Sequence, residues 1–301
     1  MNTIDFSGFT ALPDLGVIRA QGADAASFLH GQLTQDVALQ STDQARLAGY
    51  CSAKGRLLAS FVVIKRDADD LLLVCPRDLL ASTLKRLSMF VLRAKARLSD
   101  ASAEWQVGGL AGSAVPPALP GAPWAHAREA DASLVRLPVG AGVARALWLA
   151  PVGHPHPAVA ALPLAQWQWL DVASGVATVS AALVDAFVPQ MLNYESVDGV
   201  NFKKGCYPGQ EVVARSQFRG TLKRRAYVVH AAGELVPGQE VFHDGDPEQP
   251  CGTVVQAAPT PNGGFDAIVS MQVSAAQGGA LRAGEHALAL LPLPYELLDD
   301  I

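Results

Sequence analysis

The chain has 301 residues, 50% of them hydrophobic and 17% charged, with a formal net charge of −5. That is enough apolar material for two or three domains with real cores, and the acidic balance excludes a general nucleic-acid footprint. Four cysteines with neither a C-x-x-C pair nor ligand spacing exclude a disulfide framework and a zinc or iron–sulfur site held by this chain alone.

Met1 to Asp5 has no basic region leading into an apolar one, so no signal peptide is expected. Gly16 to Ala20 reads as a short strand and Ala23 to Leu33 as a helix, with Phe28, Leu29 and Leu33 at helical spacing and Asp24 in the first turn. Arg46 to Cys51 and Arg56 to Lys65 read as a strand pair joined through Ala53-Lys54-Gly55. A turn at Asp67 to Asp70 leads into a strand from Leu71 to Cys75. Asp78 is placed to cap a helix running to about Phe90. Val91 to Asp100 alternates, with Arg93, Lys95 and Arg97 on one face and Leu92, Ala94, Ala96 and Leu98 on the other. Strand, helix, several antiparallel strands, helix and strand make an α+β pattern, not a doubly wound sheet.

Gly112 to Pro123 and Pro151 to Pro163 are loops without a chemical signature. The second breaks the longest charge-free stretch, Ala146 to Leu170, which therefore cannot be a membrane span of about 20 apolar residues. A cytoplasmic protein is the default expectation. His154 and His156 have no further ligands beside them, and a flexible loop explains them. Trp167 and Trp169 open the element Gln166 to Val172; a strand would put both on one face and a helix would splay them, and the composition favours core positions. Beyond Gly220, short β-rich runs at Arg225–His230, Gln239–His243, Gly252–Gln256, Phe265–Val273 and His286–Leu291 are separated by Gly-rich turns. They predict a small antiparallel barrel or sandwich, with a boundary near residue 220 dividing 1–220 from 221–301.

The segment from Asn201 to Arg215, N-F-K-K-G-C-Y-P-G-Q-E-V-V-A-R, carries the chemistry. Lys203 and Lys204 put positive charge near Cys206, which favours thiolate, and Gly205 removes bulk beside it. Pro208-Gly209 suits a type II turn, with proline presetting φ and glycine accepting positive φ. Cys51, Cys75 and Cys251 sit in apolar or alternating runs and read as small buried hydrophobes. Between Lys203 and Arg225 seven cations face only Glu211, a setting that suits an anion. A second basic cluster, Lys85, Arg86, Arg93, Lys95 and Arg97, reads as a solvated face.

K-G-C-Y-P-G-Q-E, Lys204 to Glu211, resembles the signature of the YgfZ-type folate-binding proteins, relatives of the aminomethyltransferase (T-protein) of the glycine cleavage system. The similarity extends through Gly22-Ala23-Asp24, Gly31-Gln32, Ala53-Lys54-Gly55, Val188-Pro189-Gln190, Asn193, Phe202 to Arg215, Phe218-Arg219-Gly220 and Pro292 to Tyr295. It covers nearly the whole chain. The resemblance implies an interleaved antiparallel α+β folate-binding region, aminomethyltransferase-like, followed by a C-terminal β-barrel. It also implies tetrahydrofolate as ligand, and iron–sulfur client enzymes such as a tRNA methylthiotransferase as partners, with no direct nucleic-acid contact and no membrane. Cys206 becomes the functional thiol, with Lys204, Gly205, Gly209, Gln210 and Glu211 shaping its loop. Trp167 falls where relatives present a tryptophan to folate, and Leu15 stands where some present a second one. Arg215, Arg219 and Lys223 are candidates for a basic rim that would receive the carboxylates of the folate tail.

Two other functions compete. A one-carbon (aminomethyl) transferase of this fold typically has an acid where Cys206 stands and an aspartate near the start of the helix after the third strand. Here the only acid between Leu71 and Leu98 is Asp78, so the complete catalytic set is not seen. A scaffold without chemistry leaves the framed cysteine unexplained.

Overall fold

The computed structural model of the chain describes residues 4–218 and 222–298. The chain opens with β1 (Gly8–Ala11), β2 (Leu15–Gln21) and α1 (Ala25–His30). β3 (Arg46–Cys51), β4 (Leu57–Asp67), β5 (Asp70–Pro76), α2 (Arg77–Ser88) and β6 (Arg97–Asp100) follow. Five of these strands pair antiparallel in the order β3-β4-β5-β2-β6. Leu71, Leu72, Leu73 and Val74 of β5 are all buried, because α2 packs on this sheet and a second sheet contributes to the same core. A strand covered on both faces does not alternate, which accounts for the unbroken leucine run.

The second sheet is formed by β1 with β7 (Trp105–Ala111), β8 (His126–Glu129), β9 (Ala132–Gly140) and β10 (Val143–Pro151), in the order β1-β7-β10-β9-β8. The patterning above assigns no strand there. β9 and β10 are joined by Ala141 and Gly142, both at positive φ (50° and 77°), the two-residue turn whose twist matches a hairpin. Because β1 precedes the first sheet yet pairs with β7, the two layers are interleaved in the chain. After β10 come α3 (Leu164–Ala173) and, beyond a long irregular stretch, α4 (Gln210–Phe218). That stretch docks back on the first sheet. Leu57 N–H donates to Phe187 O at 2.7 Å, Asn201 N–H to Thr34 O at 2.9 Å, and Thr34 Oγ1 to Gly199 O at 2.7 Å.

The remaining strands are β11 (Arg224–Ala231), β12 (Glu240–His243), β13 (Asp246–Pro259), β14 (Phe265–Gln272), β15 (Leu281–Ala283) and β16 (His286–Leu291). They close into an antiparallel barrel, β11-β14-β13-β12-β15-β16, around Val229, Val241, Val254, Val269 and Met271. Closure leaves no unpaired strand edge. The fold is therefore the expected α+β arrangement: an interleaved antiparallel region followed by a barrel.

Three local expectations change. The first helix covers only Ala25–His30, and the Asp24 carboxylate makes no cap but accepts the Lys95 N–H at 2.7 Å. Asp78 is not the N-cap of α2. Pro76 holds that position, and Asp78 lies in the first turn, where negative charge suits the helix dipole, while its Oδ2 accepts the Ala181 N–H at 2.9 Å. Of the alternating segment from Val91 to Asp100, only Arg97–Asp100 forms a strand. Lys95 is committed through both backbone groups to Asp24, so the ladder with β2 starts after it, and Leu92 is left 84% exposed. The basic side chains of this segment are exposed, as a solvated face requires.

Residues 189–195 join the interleaved region to α4 and the barrel. Gln190 Nε2 donates to Val213 O at 2.8 Å, and Asn193 pairs with the backbone of Ala226 through both amide atoms, at 2.8 and 3.1 Å. Arg225 makes an ion pair with Glu195, both side chains buried, and donates to Leu298 O at 2.5 Å. Removing one partner of a buried pair strands the other charge, so Glu195→Ala is expected to cost about 3–5 kcal/mol. Urea unfolding measures this; a loss below about 1 kcal/mol would show that the pair does not hold the joint.

Candidate functional site

Cys206 is the exposed cysteine; Cys51, Cys75 and Cys251 are buried. Burial pushes the Cys51 and Cys75 thiols up to about 12 and raises that of Cys251, so none of the three is a nucleophile near neutral pH. The exposed sulfur sits on a loop that is locked from both sides. Downstream, Gln210 N–H donates to Tyr207 O at 3.2 Å around Pro208 and Gly209, with Gly209 at φ 78°, which is the type II turn expected from the dipeptide. This turn interlocks with the one at Ser52–Gly55. A Cβ on Gly209 would stand 2.4 Å from Ser52 O and 2.5 Å from Gly55 Cα, so the A-K-G and C-Y-P-G motifs meet backbone to backbone. Phe202 stacks edge-on against Phe218 with 5.4 Å between ring centroids, tying the start of the loop to the end of α4.

Upstream, Lys204 turns inward while Lys203 stays in solvent. The buried Lys204 ammonium donates to His30 O at 2.7 Å, Leu33 O at 3.0 Å and Gly205 O at 3.1 Å, and lies 4.6 Å from the centroid of the Tyr207 ring. Burial lowers it to about 8, against the opposing pull of Asp36 and Cys206. Gln210 opens α4. Glu211 and Arg215 form an exposed i,i+4 pair at 2.6 Å, a contact worth about 0.3–0.5 kcal/mol.

Leu15 and Trp167 lie elsewhere, together, in the lining of a cavity of ≈ 110 Å³ between the two sheets. Its walls are largely apolar, including Leu12, Phe61, Val74 and Leu147, with the hydroxyls of Ser60, Ser174 and Thr178 and the charges of Arg145 and Asp171 among them. α3 is a helix, so it splays its tryptophans. Trp167 packs over β7, where a Cβ on Gly109 would stand 2.5 Å from the ring, and Trp169 Nε1 donates to Asp266 Oδ2 of the barrel at 2.8 Å. Arg145 is buried, pairs with Asp171, donates to Pro138 O at 3.1–3.2 Å, and sits 5.2 Å from the Trp167 ring centroid. Burial pushes the Asp171 carboxyl up from the usual range, opposed by Arg145 and by the Trp167 N–H.

The expected site residues thus fall into two groups. Leu15 and Trp167 share the cavity, while Cys206, Lys204, Gly205, Gly209, Gln210, Glu211 and Arg215 belong to the loop and α4, and none of these lines the cavity. Along β4, four residue steps separate Arg56, beside the loop's docking turn, from Ser60 in the cavity wall, roughly 13 Å of strand. Arg215 and Lys223 do meet, in a third place: an open groove of ≈ 810 Å³ between α4 and the barrel. Arg219 lies outside the described residues. Sequence reading missed Arg145 and Asp171. Their signal is a lone charge in an otherwise apolar strand or helix, which is how a buried pair reads in one dimension.

Two interleaved antiparallel sheets followed by a barrel define an aminomethyltransferase-like fold. Among solved structures, the glycine cleavage system aminomethyltransferase T from Bartonella henselae superposes with a TM-score of 0.73 over 96% of this chain and 86% of that one, at 15% identity. No family model matches the chain. The tRNA-modifying protein YgfZ of Edwardsiella ictaluri is 32% identical over 314 residues, covering 94% of this chain and 91% of that protein. Its counterpart in Serratia proteamaculans is 29% identical, with 96% and 93% covered. The chain belongs to the YgfZ family.

Two outcomes test the loop. Gly209→Ala forces a left-handed conformation on a side chain and a collision with Ser52 O, so it is expected to cost upwards of about 1–2 kcal/mol and a few degrees of Tm; an unchanged melting curve would show that the turns are not interlocked. For Lys204 the folded-state value lies below the unfolded one. Below about pH 8 both states hold the proton and the burial cost is carried in full. Above it only the unfolded chain binds the proton, so stability due to this residue rises with pH toward the ordinary lysine range. Lys204→Met is expected to abolish that rise in urea midpoints measured across this interval.

Proposed function

We propose that the protein is a tetrahydrofolate-binding accessory protein that supports assembly or repair of iron–sulfur enzymes, and through them tRNA modification, acting through Cys206. The observation that carries this is the contrast among the cysteines: three are sealed in hydrocarbon, and the fourth is presented to solvent on a loop fixed by a buried lysine and two interlocked turns. The relatives named as tRNA-modifying proteins and the aminomethyltransferase-like fold support the same reading.

The cavity suits a flat, polar-edged heterocycle. Trp167, Phe61 and Leu15 offer apolar contact, and Asp171 with Arg145 offers directed polar contact at one end. Its ≈ 110 Å³ is several times what one water needs, which fits a ring system whose tail continues outward. In this reading Trp167, Leu15, Phe61, Arg145 and Asp171 hold and orient the pterin, and tetrahydrofolate supplies reduced ring nitrogens able to carry a one-carbon unit. The loop residues keep Cys206 reachable by a client protein. The transferase alternative is weaker: Asp78, the one acid available to it near α2, is engaged with the Ala181 N–H and does not line the cavity.

The expected results are separable. Calorimetric titration with tetrahydrofolate should show Trp167→Leu binding roughly fivefold more weakly, since an aromatic contact of this kind contributes about 1 kcal/mol beyond its buried area; unchanged affinity would remove the cavity from the assignment. In cells lacking the native protein, Cys206→Ala should fail to restore tRNA methylthiolation. Full restoration would defeat the role given to the thiol.

A further inference from the structure

The cysteine loop lies against the C-terminal end of α1, and the last residue of that helix is a histidine. His30 Nδ1 is 3.0 Å from Asp36 Oδ1, which also accepts the Leu39 N–H at 2.9 Å. Burial works against ionisation of Asp36, but the Leu39 N–H, His30 and Lys204 outweigh it and hold the carboxyl below its ordinary range. A carboxylate on Nδ1 makes that nitrogen the donor and leaves Nε2 as the acceptor. Nε2 faces the cysteine loop: a Cβ built on Gly205 would stand 3.3 Å from it. Among the described residues Nε2 makes no hydrogen bond. Gly205 is absent from the positive-φ glycines, so glycine serves there for room rather than for backbone freedom. Any side chain at 205, the residue before Cys206, would press on the imidazole. Lys204 fixes the juxtaposition, because one ammonium holds both His30 O and Gly205 O.

We propose that His30, oriented by Asp36, takes the proton of the Cys206 thiol when the sulfur turns toward it, so that the protein presents a thiolate–imidazolium pair at its surface. This rests on the reading of Cys206 as the functional thiol and adds the group that activates it. The S–H bond breaks, the proton passes to Nε2, and sulfur keeps the electron pair. When an electrophile arrives, a bond to sulfur forms, the leaving group departs with its own pair, and the imidazolium returns the proton to it or to water. The charged groups beside His30 are Asp36, from the segment after α1, and Lys204, from the loop that carries Cys206.

The test is alkylation of Cys206 by iodoacetamide in the intact protein, followed by mass spectrometry from about pH 5 to 10. The S–C bond forms as iodide leaves with its electron pair, and the other cysteines are buried. Wild-type protein is expected to react well below the ordinary thiol value of about 8.5. His30→Gln and Asp36→Asn should each move the profile upward by about one unit and slow the reaction near pH 7 roughly tenfold. Superimposable profiles would overturn the proposal. So would a wild-type profile with a single inflection at the ordinary thiol value, a result that needs no variant to fold. The functional reading fails separately, if Cys206→Ala sustains tRNA methylthiolation in cells.

Discussion

A single buried ammonium organises the reactive end of this molecule. Lys204 brings together the C-terminal carbonyls of α1 and the backbone of its own loop, segments more than 170 positions apart in the chain. Withdrawing a lysine from water is costly, and three carbonyl oxygens offset that cost where a helix end already concentrates negative partial charge. Once the charge is seated, the next residues have little freedom. Gly205 is pinned against His30, Tyr207 lies under the ammonium, and the Pro208-Gly209 turn closes on Gly55. The exposure of Cys206 is thus not slackness in a loop but the consequence of everything around it being held.

Buried charge recurs at two other points. The Arg145–Asp171 pair puts charge in the wall of a largely apolar cavity. The Glu195–Arg225 pair sits at the joint with the barrel, beside the amide of Asn193. Ion pairs of this kind seldom raise net stability over apolar substitutes, because desolvation consumes most of the Coulomb gain. What they give is direction: an apolar contact tolerates sliding, whereas a guanidinium on a particular carboxylate does not. In this protein the buried charges stand where position matters, at the loop, at the cavity and at the joint.

Much of this was legible in the sequence, and the gaps have physical causes. The first sheet and the barrel show through their alternation and turn residues, and the K-G-C-Y-P-G-Q-E run marks the loop. The second sheet did not show, because glycines such as Gly108 and Gly109 are depleted in strands. In β7 they instead clear space for the rings of Phe9 and Trp167, which a Cβ would meet at 2.3 and 2.5 Å. Arg145 and Asp171 look like interruptions of apolar runs until the fold pairs them. His30 and Asp36 are six positions apart, a spacing with no helical or strand meaning, so only the turn after α1 brings them together. Gln190 and Asn193 carried family likeness without a reason; the reason is the joint they make with α4 and β11.

The separation between cavity and thiol bears on what Cys206 meets. A nucleophile that attacked a unit carried on a ring between the sheets would have to border that cavity, and no residue of the cysteine loop does. The loop faces outward from the far end of β3 and β4, fixed there by two interlocked turns, so swinging the sulfur inward would mean parting Gly209 from Gly55 and drawing Lys204 off its carbonyls. Those contacts oppose such a motion. An outward thiol on a loop held by these contacts is instead the geometry for meeting a macromolecular surface.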